Sequence, residues 1–199
     1  AMLEAILLRA GYRVGCYTSP HLFRYSERLR LQGEVVADEL FCAAFARVDQ
    51  ARRGDTLTYF EFGTLAALVV FAEAGANTLL LEIGLGGRLD AVNAVEPTAG
   101  LITNIGLDHC AWLGEDIESI AFEKAGIMRP GKPVVFGSRD MPSSVAAHAQ
   151  DLGADLLAAG RDFDWRLDGD SWSWRGASTT IDDLQRPVLV GDHQVANAA

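Results

Sequence analysis

The sequence predicts an α/β fold: a mainly parallel sheet flanked by helices, with a small antiparallel β excursion near residues 163–181. Three observations carry that expectation. Segments with apolar residues at helical spacing alternate with short apolar runs along most of the chain. One of those runs, Asn77 to Ile83, is nearly continuous in apolar residues, the pattern of a strand covered on both faces. From Phe163 to Ile181 the texture changes to short alternating aromatic and polar runs around Asp168-Gly169-Asp170, the pattern of hairpins.

Taken in order, Met2 to Arg9 spaces its apolar residues as a helix does and runs into Gly11, after which Arg13 to Tyr17 reads as a short strand. Thr18 to Gly33 is polar and aromatic with Pro20 near its start, hence a long loop that holds a short strand at Leu29 to Leu31. Asp38 opens an amphipathic helix to about Arg53, and Tyr59 to Ala74 makes a second, more apolar helix closed by Gly75. After the apolar run come a glycine-rich turn at Gly84 to Gly87, a strand at Thr98 to Thr103 and a loop at Asn104 to Gly114. A helix from Asp116 to about Ile127 and a strand at Pro133 to Gly137 follow. Ser143 to Leu152 adds a helix and Asp155 to Ala158 a strand. No internal repeat or low-complexity tract interrupts the pattern.

The chain has 199 residues, 49% of them hydrophobic and 22% charged, ample apolar material for a core. A formal net charge of -10 excludes the broad cationic surface that phosphate backbones need, so nucleic acid is not an expected partner. It leaves ATP open, because nucleotide phosphates are held by local backbone N–H groups, a metal ion and one or two cations. Cys16, Cys42 and Cys110 form no C-x-x-C pair, which points to neither a zinc site nor a disulfide framework and makes a reducing cytoplasm the expected location. The longest uncharged apolar stretch, Leu65 to Ala72, is far short of the roughly 20 residues of a membrane span, and no signal-like amino terminus is present, so no membrane partner is expected. The sequence opens on Ala1 inside one helix and stops at Ala199 in the start of another, so a chain cut at both ends is expected.

In an open parallel sheet, ligands bind beyond the carboxyl ends of the strands. Those ends are unusually polar here. The first strand runs into Thr18-Ser19-Pro20-His21, the next into Glu82 and then Gly84 to Asp90, and the third into Thr103-Asn104 and then Asp108-His109. Ser19, Glu82, Asp108 and His109 are of the kind that holds magnesium beside phosphates, which takes one or two protein carboxylates. Each has a plainer reading: Ser19 as turn chemistry before a proline, Asp108 as a helix-entry residue, His109 as a loop cap. Glu82 stands out, since a carboxylate ending a buried apolar strand is costly without a cation or hydrogen bonds. The Gly84 to Gly87 turn is not the G-x-G-x-x-G fingerprint and reads as close backbone approach. Lys124 and Lys132 are the two lysines among plentiful arginines, and arginine cannot replace a lysine that must lose its proton and react. From pattern alone, Lys124 is a solvated residue on an amphipathic helix. His148, Trp165, Trp172 and Trp174 read as helix surface and hairpin packing.

Together the motifs resemble the folylpolyglutamate synthase and dihydrofolate synthase family of the Mur ligase superfamily. The resemblance rests on Tyr17-Thr18-Ser19-Pro20-His21-Leu22, Glu27-Arg28, Thr58-Tyr59-Phe60-Glu61, Glu82-Ile83-Gly84-Leu85-Gly86-Gly87-Arg88-Leu89-Asp90-Ala91 with Asn93, Leu107-Asp108-His109, Glu123-Lys124-Ala125-Gly126-Ile127, and His193-Gln194 with Asn197. It covers essentially the whole chain in order, and Arg88-Leu89-Asp90-Ala91 looks like the bacterial bifunctional form. It implies the P-loop NTPase-like central ATP-binding domain of an ATP-dependent amide ligase of folate biosynthesis and one-carbon metabolism, a monomer when intact. Such a ligase joins L-glutamate to dihydropteroate or to folate through an acyl phosphate, with ATP and one or two Mg2+ ions. By the motif match Ser19 and Glu82 look like ligands of a first magnesium and His109 of a second. Lys124 matches a lysine that becomes carbamylated and bridges to metal, making Lys124 and His109 the catalytic pair. Asn197 matches a position near adenine, and Phe60, Asp90 and Ala91 fall where the family holds the pterin end. The family's glycine-rich phosphate loop belongs before residue 1 and its glutamate-ligase domain after residue 199. Residues 1–199 are therefore expected to be an incomplete central domain that does not turn over by itself. Two alternatives stand beside this: another Mur-type ligase acting on a cell-wall or polyamide precursor, and a non-catalytic pterin- or nucleotide-binding protein.

Overall fold

A computed structural model describes all 199 residues, Ala1 to Ala199, which divide into two compact units. The first comprises Ala1–Leu85 and Asp90–Ala94, the second Gly86–Leu89 and Val95–Ala199.

The first unit begins with α1 (Met2–Arg9) and β1 (Val14–Tyr17), whose four residues are all buried. A 3-10 turn at Tyr25–Arg28 leads into β2 (Leu29–Leu31) and β3 (Glu34–Val35), followed by α2 (Asp38–Arg52), α3 (Tyr59–Glu73) and β4 (Thr78–Leu81). The sheet order is β3-β2-β1-β4: β1 runs parallel to β4 and antiparallel to β2, which pairs antiparallel with β3. The stretch read as a long loop therefore contributes an antiparallel ribbon to one edge. Its last strand is two exposed residues, too short to leave a period in the sequence.

Helix α3 starts on a capping box, Thr58 accepting from the Glu61 N–H at 3.2 Å and Glu61 accepting from the Thr58 N–H at 2.7 Å. It packs Ala66, Ala67, Val70 and Phe71 against Tyr17, Leu29, Phe41, Ala44 and Val48 in a single core cluster. Gly15 makes room for that contact, since a Cβ there would lie 2.5 Å from the Phe71 ring. One expectation needs correction. On β4 Leu79 is exposed and its neighbours are half-buried, so this strand is not covered on both faces. On α1 Leu3 and Ile6 are exposed, and the one buried side chain is that of Glu4.

The second unit holds a parallel sheet, β5 (Gly100–Ile102), β6 (Pro133–Phe136) and β7 (Asp155–Ala158) in that order, with helices α4 (Cys110–Leu113), α5 (Ile117–Ala125) and α6 (Ser143–Leu152) between the strands. Ala121 and Ala125 of α5 and Val145 and Ala149 of α6 close over Ile102, Val134, Phe136 and Ala158. Asp116 caps α5 by accepting from the Ser119 N–H at 2.8 Å. Two residues on, Glu118 caps α6, accepting from the Ser143 and Ser144 N–H groups at 3.0 and 2.7 Å. Those amides and the serine hydroxyls, Ser144 foremost, pull its carboxyl down to about 2.

The antiparallel excursion is a three-stranded sheet, β8 (Asp164–Asp168), β9 (Ser171–Arg175) and β10 (Thr180–Gln185), with β9 central; it reaches four residues beyond the predicted end. Trp172 is buried, Trp174 stacks on Phe163, and Arg139 lies over the Trp165 ring. His148 meets Phe122 edge-on, and α7 (His193–Ala198) ends the chain. No helix is long and apolar enough to cross a membrane.

Candidate active site

Parallel pairing of β1 and β4 puts Tyr17 beside Leu81, so Thr18 and Glu82 leave the sheet at the same level. The Glu82 N–H donates to the Tyr17 carbonyl at 3.0 Å, and the next amide, that of Ser19, donates to Glu82 Oε2 at 2.7 Å. The structure thus joins two residues 63 positions apart, both selected from the sequence as cation ligands. Glu82 is exposed rather than buried, so desolvation does not single it out as the apolar run suggested. What distinguishes it is its partner. One carboxylate oxygen accepts from the Ser19 amide, which leaves Oε1 and the Ser19 hydroxyl as two hard oxygen donors on hydrogen-bonded residues, the type magnesium prefers.

The residues matched to the pterin end also gather in the first unit. Phe60, in the first turn of α3, lies flat against the backbone of Gly84, where a Cβ would come within 2.6 Å of its ring. Asp90 Oδ2 accepts from the Gly84 and Leu85 N–H groups, both at 3.0 Å, and Oδ1 accepts from the Val92 N–H at 2.9 Å. The carboxylate therefore ties the loop that begins at Gly84 to the 3-10 turn Ala91–Ala94, and Ala91 opens that turn. Gly84 is needed because the Phe60 ring occupies the space a side chain would take.

His109 and Lys124 belong to the second unit. His109 caps α4 with a left-handed backbone, φ +53°, which costs a non-glycine residue conformational energy and so draws notice. Asp108 holds that conformation through Oδ1, which accepts from the His109 N–H at 2.7 Å, while the imidazole Nε2 lies 3.7 Å from Oδ2; both side chains are exposed. Lys124 sits half-buried in the last turn of α5, its ammonium without hydrogen bond or ion pair. Its turn is clamped from one side. Arg88 donates its N–H to the Glu123 carbonyl at 2.9 Å, and its guanidinium grips both Glu123 carboxylate oxygens at 2.9–3.2 Å. Gly87 approaches so closely that a Cβ would lie 2.9 Å from the Glu123 carbonyl oxygen and 3.1 Å from that of Lys124. The glycine turn's meaning as close backbone approach is met here. No hydrogen bond or ion pair links His109 to Lys124, and no group of three or more His, Cys, Asp or Glu side chains is preassembled as a metal cluster. Asn197 stands in α7, exposed, donating to Gln194 Oε1 at 3.2 Å.

Comparison with known proteins places the chain in a family. The dihydrofolate synthase/folylpolyglutamate synthase of Escherichia coli (strain K12) is 46% identical over 187 residues, 94% of this chain and 44% of that protein. A solved structure of E. coli FolC in complex with DHPP and ADP superposes with a TM-score of 0.95 at 46% identity, covering 99% of this chain and 47% of that one. A bifunctional folylpolyglutamate synthase/dihydrofolate synthase with Mn, AMPPNP and L-glutamate bound gives a TM-score of 0.92 at 46% identity, over 99% and 47% of the two chains. The chain belongs to the dihydrofolate synthase/folylpolyglutamate synthase family. No family model matches it, and it spans less than half the length of the relatives just named.

Within this synthase-family chain, an ion pair that no motif announces lies behind the Ser19 turn. Arg30 grips Glu4 at 2.9 Å, with side-chain exposures of 22% and 8%. Cys16 lies against the same guanidinium, and burial pushes its thiol up from the ordinary value. Nearby, His21 Nδ1 accepts from Arg28 Nε at 2.9 Å, and the Arg28 guanidinium lies over the rings of Tyr25 and Tyr59. A charged residue in a short strand is ordinarily solvated, so only the position of α1 reveals that Glu4 and Arg30 meet.

Proposed function

We propose that the protein carrying this chain is an ATP-dependent ligase that adds L-glutamate to dihydropteroate, to folate (poly)glutamates, or to both. The observation that carries the proposal is the Ser19–Glu82 pairing at the carboxyl ends of adjacent parallel strands, in a chain 46% identical to a dihydrofolate synthase/folylpolyglutamate synthase. The reaction class is phosphoryl transfer to a substrate carboxylate, followed by displacement of phosphate from the acyl phosphate by the amine of glutamate. In such transfers positioning and charge neutralisation do most of the work.

Ser19 and Glu82 would hold one magnesium ion, and His109 with carbamylated Lys124 a second. The donor chemistry fits: a hydroxyl and a free carboxylate oxygen at the first position, an exposed imidazole and an unpaired, half-buried amine at the other. Bound there, magnesium supplies neutralisation of the charge that develops on the phosphate oxygens. Lys124 is suited to carbamylation because its amine is not spent on an ion pair, and a carbamate turns it into an oxygen ligand, which arginine cannot become. The clamp of Gly87 and Arg88 on its turn keeps that side chain in place. Phe60 offers a flat apolar face beside the Asp90 loop for the pterin ring, Ala91 leaves that face uncrowded, and Asn197 is the candidate for the adenine edge. The same proposal includes a monomeric, cytoplasmic protein.

Phosphate release by the intact protein tests it, with magnesium-ATP, glutamate and either dihydropteroate or tetrahydrofolate. Turnover with at least one acceptor is expected, abolished by Glu82→Gln and by Lys124→Arg. Silence with both acceptors, in folded protein that still binds ATP, would overturn the assignment.

A further inference from the structure

A largely buried charge pair sits directly behind the Thr18-Ser19 turn. Arg30 stands opposite Cys16 in the β1–β2 ladder, and Thr18 continues β1 two residues on, its N–H donating to the Arg28 carbonyl at 2.9 Å. Residues two apart share a face, so one guanidinium reaches both. Nη2 donates to Cys16 Sγ at 3.2 Å and Nη1 to Thr18 Oγ1 at 3.4 Å. Nε and Nη2 grip both carboxylate oxygens of Glu4 at 2.9–3.2 Å. An apolar pair of the same volume usually serves stability as well as a buried ion pair, so stability alone does not explain these two charges.

We propose that Arg30, anchored by Glu4, is a positioning residue that fixes the Thr18-Ser19 turn so that the Ser19 hydroxyl and the Glu82 carboxylate face a divalent cation together. This rests on the reading of Ser19 and Glu82 as cation ligands. Arg30 is itself a cation and acts through Thr18. Three bonds then hold the turn: Thr18 N–H to Arg28, Ser19 N–H to Glu82, and Arg30 to the Thr18 hydroxyl. The last is the one that joins two side chains, and it ties the turn to α1. Outer partners that orient ligands in this way typically contribute about 10–100-fold to metal affinity.

The test is Mn2+ binding to the intact protein in the presence of saturating AMPPNP, followed by electron paramagnetic resonance, with thermal unfolding measured alongside. The double variant Glu4→Met/Arg30→Met removes both charges without leaving one unpaired. It should unfold at the wild-type temperature yet bind Mn2+ about tenfold more weakly. Arg30→Lys, which cannot fork between Glu4 and Thr18, should weaken Mn2+ binding by at least about threefold. A stable double variant with wild-type Mn2+ affinity would overturn the proposal, and if that variant fails to fold, unchanged affinity in Arg30→Lys does so. Glu82→Gln separates the two levels. Loss of one bound Mn2+ there with normal binding in the Arg30 variants refutes the role of Arg30 alone, whereas Glu82→Gln that binds as many Mn2+ ions as the wild type with the same affinity removes the cation site and the role of Arg30 with it.

Discussion

Replacing Tyr17 with phenylalanine should make the chain more stable, although Tyr17 belongs to the buried core cluster of the first unit. The residue is 1% exposed and its hydroxyl has no hydrogen-bond partner. Thr64 donates its hydroxyl to the Phe60 carbonyl at 2.9 Å, and Gly63 leaves just enough room below, where a Cβ would sit 3.0 Å from the phenol oxygen. Burial accordingly pushes the phenol above its ordinary pKa. A buried hydroxyl without a partner costs about 1–3 kcal/mol, while deleting one oxygen forfeits only a few contacts, so the net gain should be about 1 kcal/mol. With an m value of about 2–3 kcal/mol/M, the urea midpoint should rise by about 0.3–0.5 M. Far-UV circular dichroism is the suitable signal, because all four tryptophans, Trp112, Trp165, Trp172 and Trp174, lie in the second unit. A midpoint lowered by a similar amount would refute the reasoning, since the hydroxyl would then have a partner worth keeping.

Acid should loosen α6 through Glu118. Its folded pKa of about 2 lies below the ordinary 4.5, so its contribution is complete above about pH 5 and is lost as the pH falls toward 2. Glu118→Gln should flatten that part of the acid limb, read from urea midpoints across the same range. Gly87→Ala places a Cβ against the Glu123 and Lys124 carbonyl oxygens and should cost about 1–3 kcal/mol, read by thermal unfolding. ATP turnover should fall with it, as the Lys124 turn is displaced. Phe71→Ala empties a side chain that is 1% exposed and should cost about 3–5 kcal/mol in urea unfolding.

Much of the site was visible in the chain before any fold was known, because its residues sit in short motifs at strand ends. Ser19, Glu82, Asp90 and His109 each follow an apolar run, and the parallel pairing of β1 with β4 brings Ser19 and Glu82 to the same end of the first unit's sheet. The structure replaces some of the grounds on which these residues were selected. Glu82 was selected as a carboxylate ending a buried strand, yet it is exposed, and its distinguishing feature is the Ser19 amide. Asp90 was selected as a ligand-holding residue, and in the structure its oxygens accept from three backbone amides.

The sequence by itself determined the alternation of helices and strands, the switch to hairpins after Phe163, and the family, since apolar periodicity and contiguous motifs are local properties that survive in one dimension. Only the tertiary structure decided that Glu4 is the buried residue of α1, that Arg30 joins it to Thr18, and that Gly87 and Arg88 grip the turn of Lys124. Those pairings join residues up to 37 positions apart on different elements. Whether a charge is solvated or buried there depends on which neighbour the packing supplies, and that is not a property of the residue or of its immediate sequence.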